Sequence, residues 1–183
     1  ELKRISSRTN VENNHKINEV VEKILQDVKT YGDVAVEKYT RKFDGFNPNP
    51  MQVDANDLKN AWDEIDCNLK RSLELAHNRI KKFHQKEIPS SFSIKGKHGD
   101  TVQRRWKPVK SAGIYIPGGR AAYPSTVLMN AIPASVAGVG EIIMVSPGNN
   151  EGKINKTVLA AAHLSGINKV FRIGGAQAIG ALA

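Results

Sequence analysis

From Val11 to Ile88 the apolar residues recur with the period of an α-helix. Ile17, Val20, Val21, Ile24, Leu25 and Val28 fall at the i, i+3, i+4, i+7 spacing of a single stripe. Gly32 can close that helix, and Asp33 can cap the next, which carries Val34, Tyr39 and Phe43. The stretch "DGFNPNP" (44–50) reads as a loop from its Gly, Asn and Pro content. Asp54 then opens helical periodicity through Leu58, Ala61, Trp62 and Ile65. A further stripe, Leu69, Leu73, Ala76, Ile80 and Phe83, runs on until Pro89 ends it. These helices should pack together and leave one apolar face for a further partner. Phe92 to Val109 alternates in a β-like way around "KGKHGD", which predicts a hairpin.

The pattern changes at Ser111. "AGIYI" (112–116), "EIIMV" (141–145) and "KVFRI" (169–173) are short apolar runs rich in β-branched residues. Helical patterns separate them at Ser125–Gly138 and Lys153–Gly166, and a third begins at Ala176. That β-α-β-α-β-α order implies a parallel sheet with right-handed crossovers. Three strands with the last helix barely begun amount to half a sheet. The chain therefore reads as a fragment of a larger α/β protein: a helical segment with a short hairpin over 1–110, then half of a Rossmann-like sheet with flanking helices over 111–183.

Composition narrows the function classes. With 183 residues, 40% apolar and 25% charged, the chain is ordinary globular material. No apolar run approaches the roughly 18 residues of a membrane span, and "ELKRISSRTN" lacks the apolar core of a signal peptide. Cys67 is the single cysteine, which excludes an internal disulfide and fits a reducing compartment, cytoplasm or organelle stroma. The net charge of +9 raises a nucleic-acid reading. Its spread along amphipathic helices, with clusters only at "RIKKFHQK" (79–86) and "QRRWK" (103–107), favours a solvated basic face instead.

Candidate chemistry gathers at two strand–glycine–helix junctions, "IPGGRAAYPS" (116–125) and "RIGGAQAIG" (172–180). In the first, Pro117 fixes φ, Gly118 and Gly119 permit positive φ, and Ser125 can cap the next helix. A helix N-terminus beyond the carboxyl end of a strand is a natural anion site. Neither G-x-G-x-x-G nor a P-loop is present, however. Local chemistry thus leaves two readings open, a nucleotide-binding sheet or a structural turn. If the strands are adjacent and parallel, both junctions face one crevice.

"GIYIPGGRAAYPSTVLMNAIPASVAGVGEIIMVSPG" (113–148) followed by "VFRIGGAQAIGALA" (170–183) resembles the histidinol dehydrogenase family, as does "DVKTYGDVAVEKYTRKFDGF" (27–46) in its helical segment. The resemblance implies a homodimeric zinc enzyme that oxidises L-histidinol to L-histidine through the aldehyde, reducing two NAD+ at one site. It also implies a chain well over twice this length. The family's NAD-contacting tyrosine corresponds to Tyr115, and its NAD-contacting glutamine to Gln177. A third family contact, an Asn in a later G-P-G-N loop, has no counterpart, since "SPGNN" (146–150) follows a different strand. The family's zinc ligands and its proton-handling Glu-His pair come from later sequence. No catalytic or metal residue is therefore assigned here, and His15, His77, His84, His98 and His163 are read as surface or capping residues. Asp63, Glu64 and Asp66 read as a solvated acidic run. A superfamily dehydrogenase of another amino or sulfonated alcohol, or a basic binding module, are the alternatives. The small-molecule reading implies neither nucleic acid nor membrane as partner.

Overall fold

The computed structural model describes residues 11–118 and 121–183. Four helices come first: α1 (Val11–Tyr31), α2 (Asp33–Phe43), α3 (Ala55–Glu64) and α4 (Cys67–His84). An antiparallel hairpin follows, β1 (Phe92–Lys95) with β2 (Thr101–Arg104). The rest alternates as β3 (Ser111–Tyr115), α5 (Pro124–Val136), β4 (Glu141–Val145), α6 (Lys156–Leu164), β5 (Lys169–Phe171) and α7 (Gly175–Leu182). The three later strands form a parallel sheet in the order β3-β4-β5, as the alternation predicts. On its far edge, Gln52 makes an isolated antiparallel bridge to Phe171, and Val53 N–H donates to the Val170 carbonyl.

Strand alternation sends successive side chains to opposite faces, and the sheet uses both. Ile114, Ile116, Met144 and Val170 pack into one apolar core with Leu58, Leu73, Leu128 and Val158, drawn from α3, α4, α5 and α6. Tyr115, Val145 and Phe171 face the other way, into a second core with Ile24, Val28, Val36, Tyr39 and Ala178 of α1, α2 and α7. The N-terminal helices therefore do not form one bundle, as their stripes suggest. A two-faced apolar sheet offers more burial than the helices offer one another, and the pairs α1–α2 and α3–α4 divide between its faces. The chain also changes face at α7: Leu182 lies against β3, where a Cβ on Gly113 would come within 2.8 Å of its side chain.

Capping differs from the sequence reading at three points. Gly32 closes α1 at φ 55 as expected, but it is also the N-cap of α2, and Asp33 is already helical. Pro124 occupies the first turn of α5 behind an N-cap Tyr123, so Ser125 lies inside the helix and caps nothing. Helix α4 stops at His84, five residues short of Pro89, after the basic last turn Lys81, Lys82 and His84. Asp54 and Asp66, in contrast, are true caps, accepting from Asn56 N–H and from Asn68 and Leu69 N–H. Apolar side chains remain exposed on α1 (Ile17, Val20) and on one face of the hairpin (Phe92, Ile94, Val102).

Candidate functional site

The carboxyl ends of β3, β4 and β5 point the same way, and both GG junctions leave from them. Of the first pair, Gly119 lies outside the described residues. Gly118 is not in the positive-φ region, so the expected left-handed turn is not its role. A Cβ on it would stand 2.6 Å from Pro147 Cγ, and one on Gly174 would stand 2.6 Å from Pro147 Cβ. Pro147, the first residue but one after β4, is thus wedged between the two junctions. Missing side chains, rather than backbone handedness, let these three loops meet.

Tyr115 ends β3 with its ring on the face of the second core, opposite Ile114 and Ile116. Its hydroxyl accepts a hydrogen bond from Gly175 N–H at 3.2 Å. Gly175 adopts φ 61, and a Cβ there would lie 2.6 Å from Gln177 Oε1. The structure therefore brings Tyr115 and Gln177 to the same glycine, from elements 60 residues apart in sequence. Gln177 is fully buried, not on an exposed helix face, and neither Oε1 nor Nε2 has a hydrogen-bond partner among the described residues. A buried amide left in that state costs about 1–3 kcal/mol per unpaired group. Folding alone gives no reason to keep it.

A cleft of about 790 Å³ opens beside this pair rather than on it. Its walls are Pro117–Gly118 after β3, Ser146–Asn150 after β4, Phe43–Asp44 at the end of α2, and Ile154–Asn155 before α6. Pro147 belongs to that wall and also touches Gly174, so it divides the cleft from Tyr115 and Gln177. Most polar groups around the cleft are committed. Asn149 Oδ1 accepts from Glu151 and Lys153 N–H, and Asn155 Oδ1 caps α6 through Thr157 N–H. Asp44 is not: its Oδ2 is buried with no partner among the described residues. Burial holds its carboxyl above the ordinary value, and among the described residues no cation pairs with it to offset the cost. The N-termini of α5 and α7, at the ends of β3 and β5, also lack side-chain caps.

Among the described residues, no three His, Cys, Asp or Glu side chains are grouped so as to hold a metal ion. His15 pairs with Glu19, His84 with Glu87, and the His163 ring lies tilted against Trp62. The acidic run is engaged rather than merely solvated: Asp63 pairs with Lys59, Glu64 with Lys156, and Asp66 caps α4. Sequence reasoning missed Asp44 and Pro147. "FDGF" carried only a loop signal, and a proline after a strand only a turn signal; their place in the cleft depends on contacts between distant segments.

The profile of the histidinol dehydrogenase family matches residues 7–183. A curated histidinol dehydrogenase of Prochlorococcus marinus (strain MIT 9312) is 84% identical over 183 residues, all of this chain and 42% of that protein. One of Aquifex aeolicus is 50% identical over 165 residues, 89% of this chain and 37% of its own length. The crystal structure of histidinol dehydrogenase from Elizabethkingia anophelis superposes with a TM-score of 0.85 at 34% identity, covering 90% of this chain and 38% of that one. The chain thus spans about two fifths of the length of the curated relatives it matches.

Proposed function

The chain belongs to the histidinol dehydrogenase family, and on that premise we propose that the whole protein oxidises L-histidinol to L-histidine through the aldehyde, with NAD+ as oxidant. This is the last step of histidine biosynthesis. When bound, NAD+ supplies the hydride acceptor for each oxidation. In this reading, residues 111–183 are the first half of the cofactor-binding domain, and 1–110 is the helical segment that buttresses it. The reversal of face at α7 supports that division, because a right-handed crossover on the opposite side leads the next strand toward the free edge of β3. The observation that carries the reading is Gln177: a completely buried amide without a partner, beside the Tyr115 hydroxyl at the carboxyl end of the sheet.

Tyr115 and Gln177 are assigned to NAD+. Gln177 offers two donors and an acceptor to a ribose or carboxamide, and the Tyr115 hydroxyl holds the Gly175 turn that places it. Among the described residues no cluster of His, Cys, Asp or Glu suits zinc. Zinc binding and proton transfer are assigned to the rest of the protein, as is the formation of a homodimer. These residues alone are accordingly expected to be inactive. One free, exposed cysteine suits a reducing compartment, cytoplasm or organelle stroma, and among the described residues no helix is long and apolar enough to cross a membrane.

Steady-state kinetics of the full-length protein test the reading. L-Histidinol should reduce NAD+, other amino alcohols and sulfonated alcohols should not. Tyr115→Ala and Gln177→Ala should each raise KM for NAD+ by roughly tenfold to a hundredfold, the effect of a lost polar contact worth about 1–3 kcal/mol. Turnover of a sulfonated alcohol in preference to histidinol would move the protein to a sister activity. Unaltered NAD+ kinetics in both variants would return the GG junctions to structural turns.

A further inference from the structure

The backbone of Asp44 closes α2 by donating to the Thr40 carbonyl, but its carboxylate gains no partner among the described residues. It follows the last residue of α2, where the helix dipole disfavours a carboxylate. Burial raises its pKa, and its Oδ2 has no partner among the described residues. The cations nearby in sequence are turned elsewhere: Arg41 to Glu37 and Asn47, Lys42 over the Phe43 ring. A carboxylate kept under those conditions beside a cleft of about 790 Å³ is a binding group without its ligand. Its chemistry restricts that ligand. An ionised carboxylate only accepts hydrogen bonds and repels phosphate, so the part of a ligand that faces it carries hydrogen-bond donors.

Resting on the reading that this site takes NAD+, we propose that Asp44 accepts the hydroxyls of a ribose of the dinucleotide, in the cleft on the far side of Pro147 from Gln177. A ribose hydroxyl can donate to such a carboxylate, the chemistry by which acidic residues hold ribose in other parallel-sheet nucleotide sites. Here the acid does not come from the sheet. It arrives at the end of α2, a helix packed against the second core. A dinucleotide passing over Pro147, which packs against Gly118 and Gly174, would reach Asp44 with one half and Gln177 with the other. The N-terminal helical segment thereby becomes part of the cofactor site and not only its support.

The experiment is equilibrium titration of the full-length protein by calorimetry, without histidinol, using NAD+, AMP and nicotinamide mononucleotide. The proteins are wild type, Asp44→Ala, Asp44→Asn and Gln177→Ala, each checked for folding by circular dichroism. Asp44→Ala is expected to weaken NAD+ binding by roughly tenfold to a hundredfold, the loss of hydrogen bonds to a charged acceptor. Asp44→Asn, whose amide still accepts, should lose less, and it decides the matter should Asp44→Ala not fold. A parallel loss for AMP assigns the adenosine ribose; a loss for the mononucleotide assigns the nicotinamide ribose. Either supports the proposal. If both Asp44 variants bind all three ligands as the wild type does while Gln177→Ala is weakened, the proposal falls and the NAD+ reading stands. If the wild type does not bind NAD+, both fall.

Discussion

The two faces of the parallel sheet divide the work of this molecule. One face rests on α3–α6 and contributes Ile114, Ile116, Met144 and Val170 to the larger apolar core. The other, under α1, α2 and α7, holds fewer apolar residues and more buried polar ones. The side chains of Thr40 and Gln177 are fully buried with no partner among the described residues, and Tyr39 donates to Asp27 at 2.6 Å. On the first side the buried unpaired side-chain atom is Ser165 Oγ. Tyr115 and Gln177 belong to this second side, and Asp44 follows directly from α2. Dispersion and burial reward an all-apolar packing; a binding site needs polar groups that the folded chain does not satisfy by itself. On the proposed reading, the first face supplies stability and the second carries the groups that bind NAD+.

The sharpest test of that division is a cavity on the first face. Leu128→Ala, at a residue only 1% exposed, should destabilise the full-length protein by about 2–5 kcal/mol in denaturant unfolding. KM for NAD+ should stay where it was. A large change in KM would mean that the faces are not separable.

On the second face, Gly175→Ala should cost about 1–2 kcal/mol for a side chain at φ 61. It should also raise KM for NAD+, because the new Cβ displaces Gln177 Oε1. A variant that lost stability with unchanged cofactor kinetics would show that the glycine serves the turn alone. Gln177→Leu should dissociate the two quantities in the opposite sense. Replacing an unpaired buried amide with an apolar side chain of similar size should leave unfolding free energy equal or higher, while KM for NAD+ rises by roughly tenfold to a hundredfold.

The smallest effects lie in the pH dependence. Burial raises the Asp44 pKa above its ordinary 3.8. Its ionisation therefore opposes folding: the unopposed stability exists below that ordinary value and is lost as pH rises through the raised folded value. Asp44→Asn should melt higher than wild type near neutral pH, and the two melting temperatures should converge in acid. Asp27 has the opposite sign. The Tyr39 hydrogen bond, aided by Lys23 and Lys38, holds its carboxyl below the ordinary 3.8. Its contribution is present above that value and lost as pH falls through the depressed one. Tyr39→Phe should therefore flatten the acid limb of a melting-temperature profile; an unchanged limb would remove the bond from the stability account.

Local pattern was enough to place nearly every element. The 3.6 and 2.0 periodicities depend only on neighbours in the chain, so the helices around Leu58 and Leu73, the hairpin and the three strands are each visible in a short window. The register of Tyr115 opposite Ile114 and Ile116 follows from pleating alone. Helix ends were less legible. Asp33 and Ser125 have good capping chemistry, yet Gly32 and Tyr123–Pro124 start those helices first, because a cap is set by backbone dihedrals and not by side-chain type.

What the sequence determined by itself was the α/β class, the order of its elements, the family it resembles and the two residues to watch, Tyr115 and Gln177. Tertiary structure alone decided that the N-terminal helices split between the faces of the sheet, that Pro147 seats between Gly118 and Gly174, and that Gln177 is buried without a partner. It also decided that Asp44 reaches the cleft from outside the sheet. The reason is one of range. Periodicity and turn chemistry act over a few residues, whereas burial, desolvation and the loss of a hydrogen-bond partner are properties of whatever the rest of the chain places next to a group. For Tyr115 that neighbour is 60 residues away, and for Asp44 it is the loop after β4, about a hundred residues on.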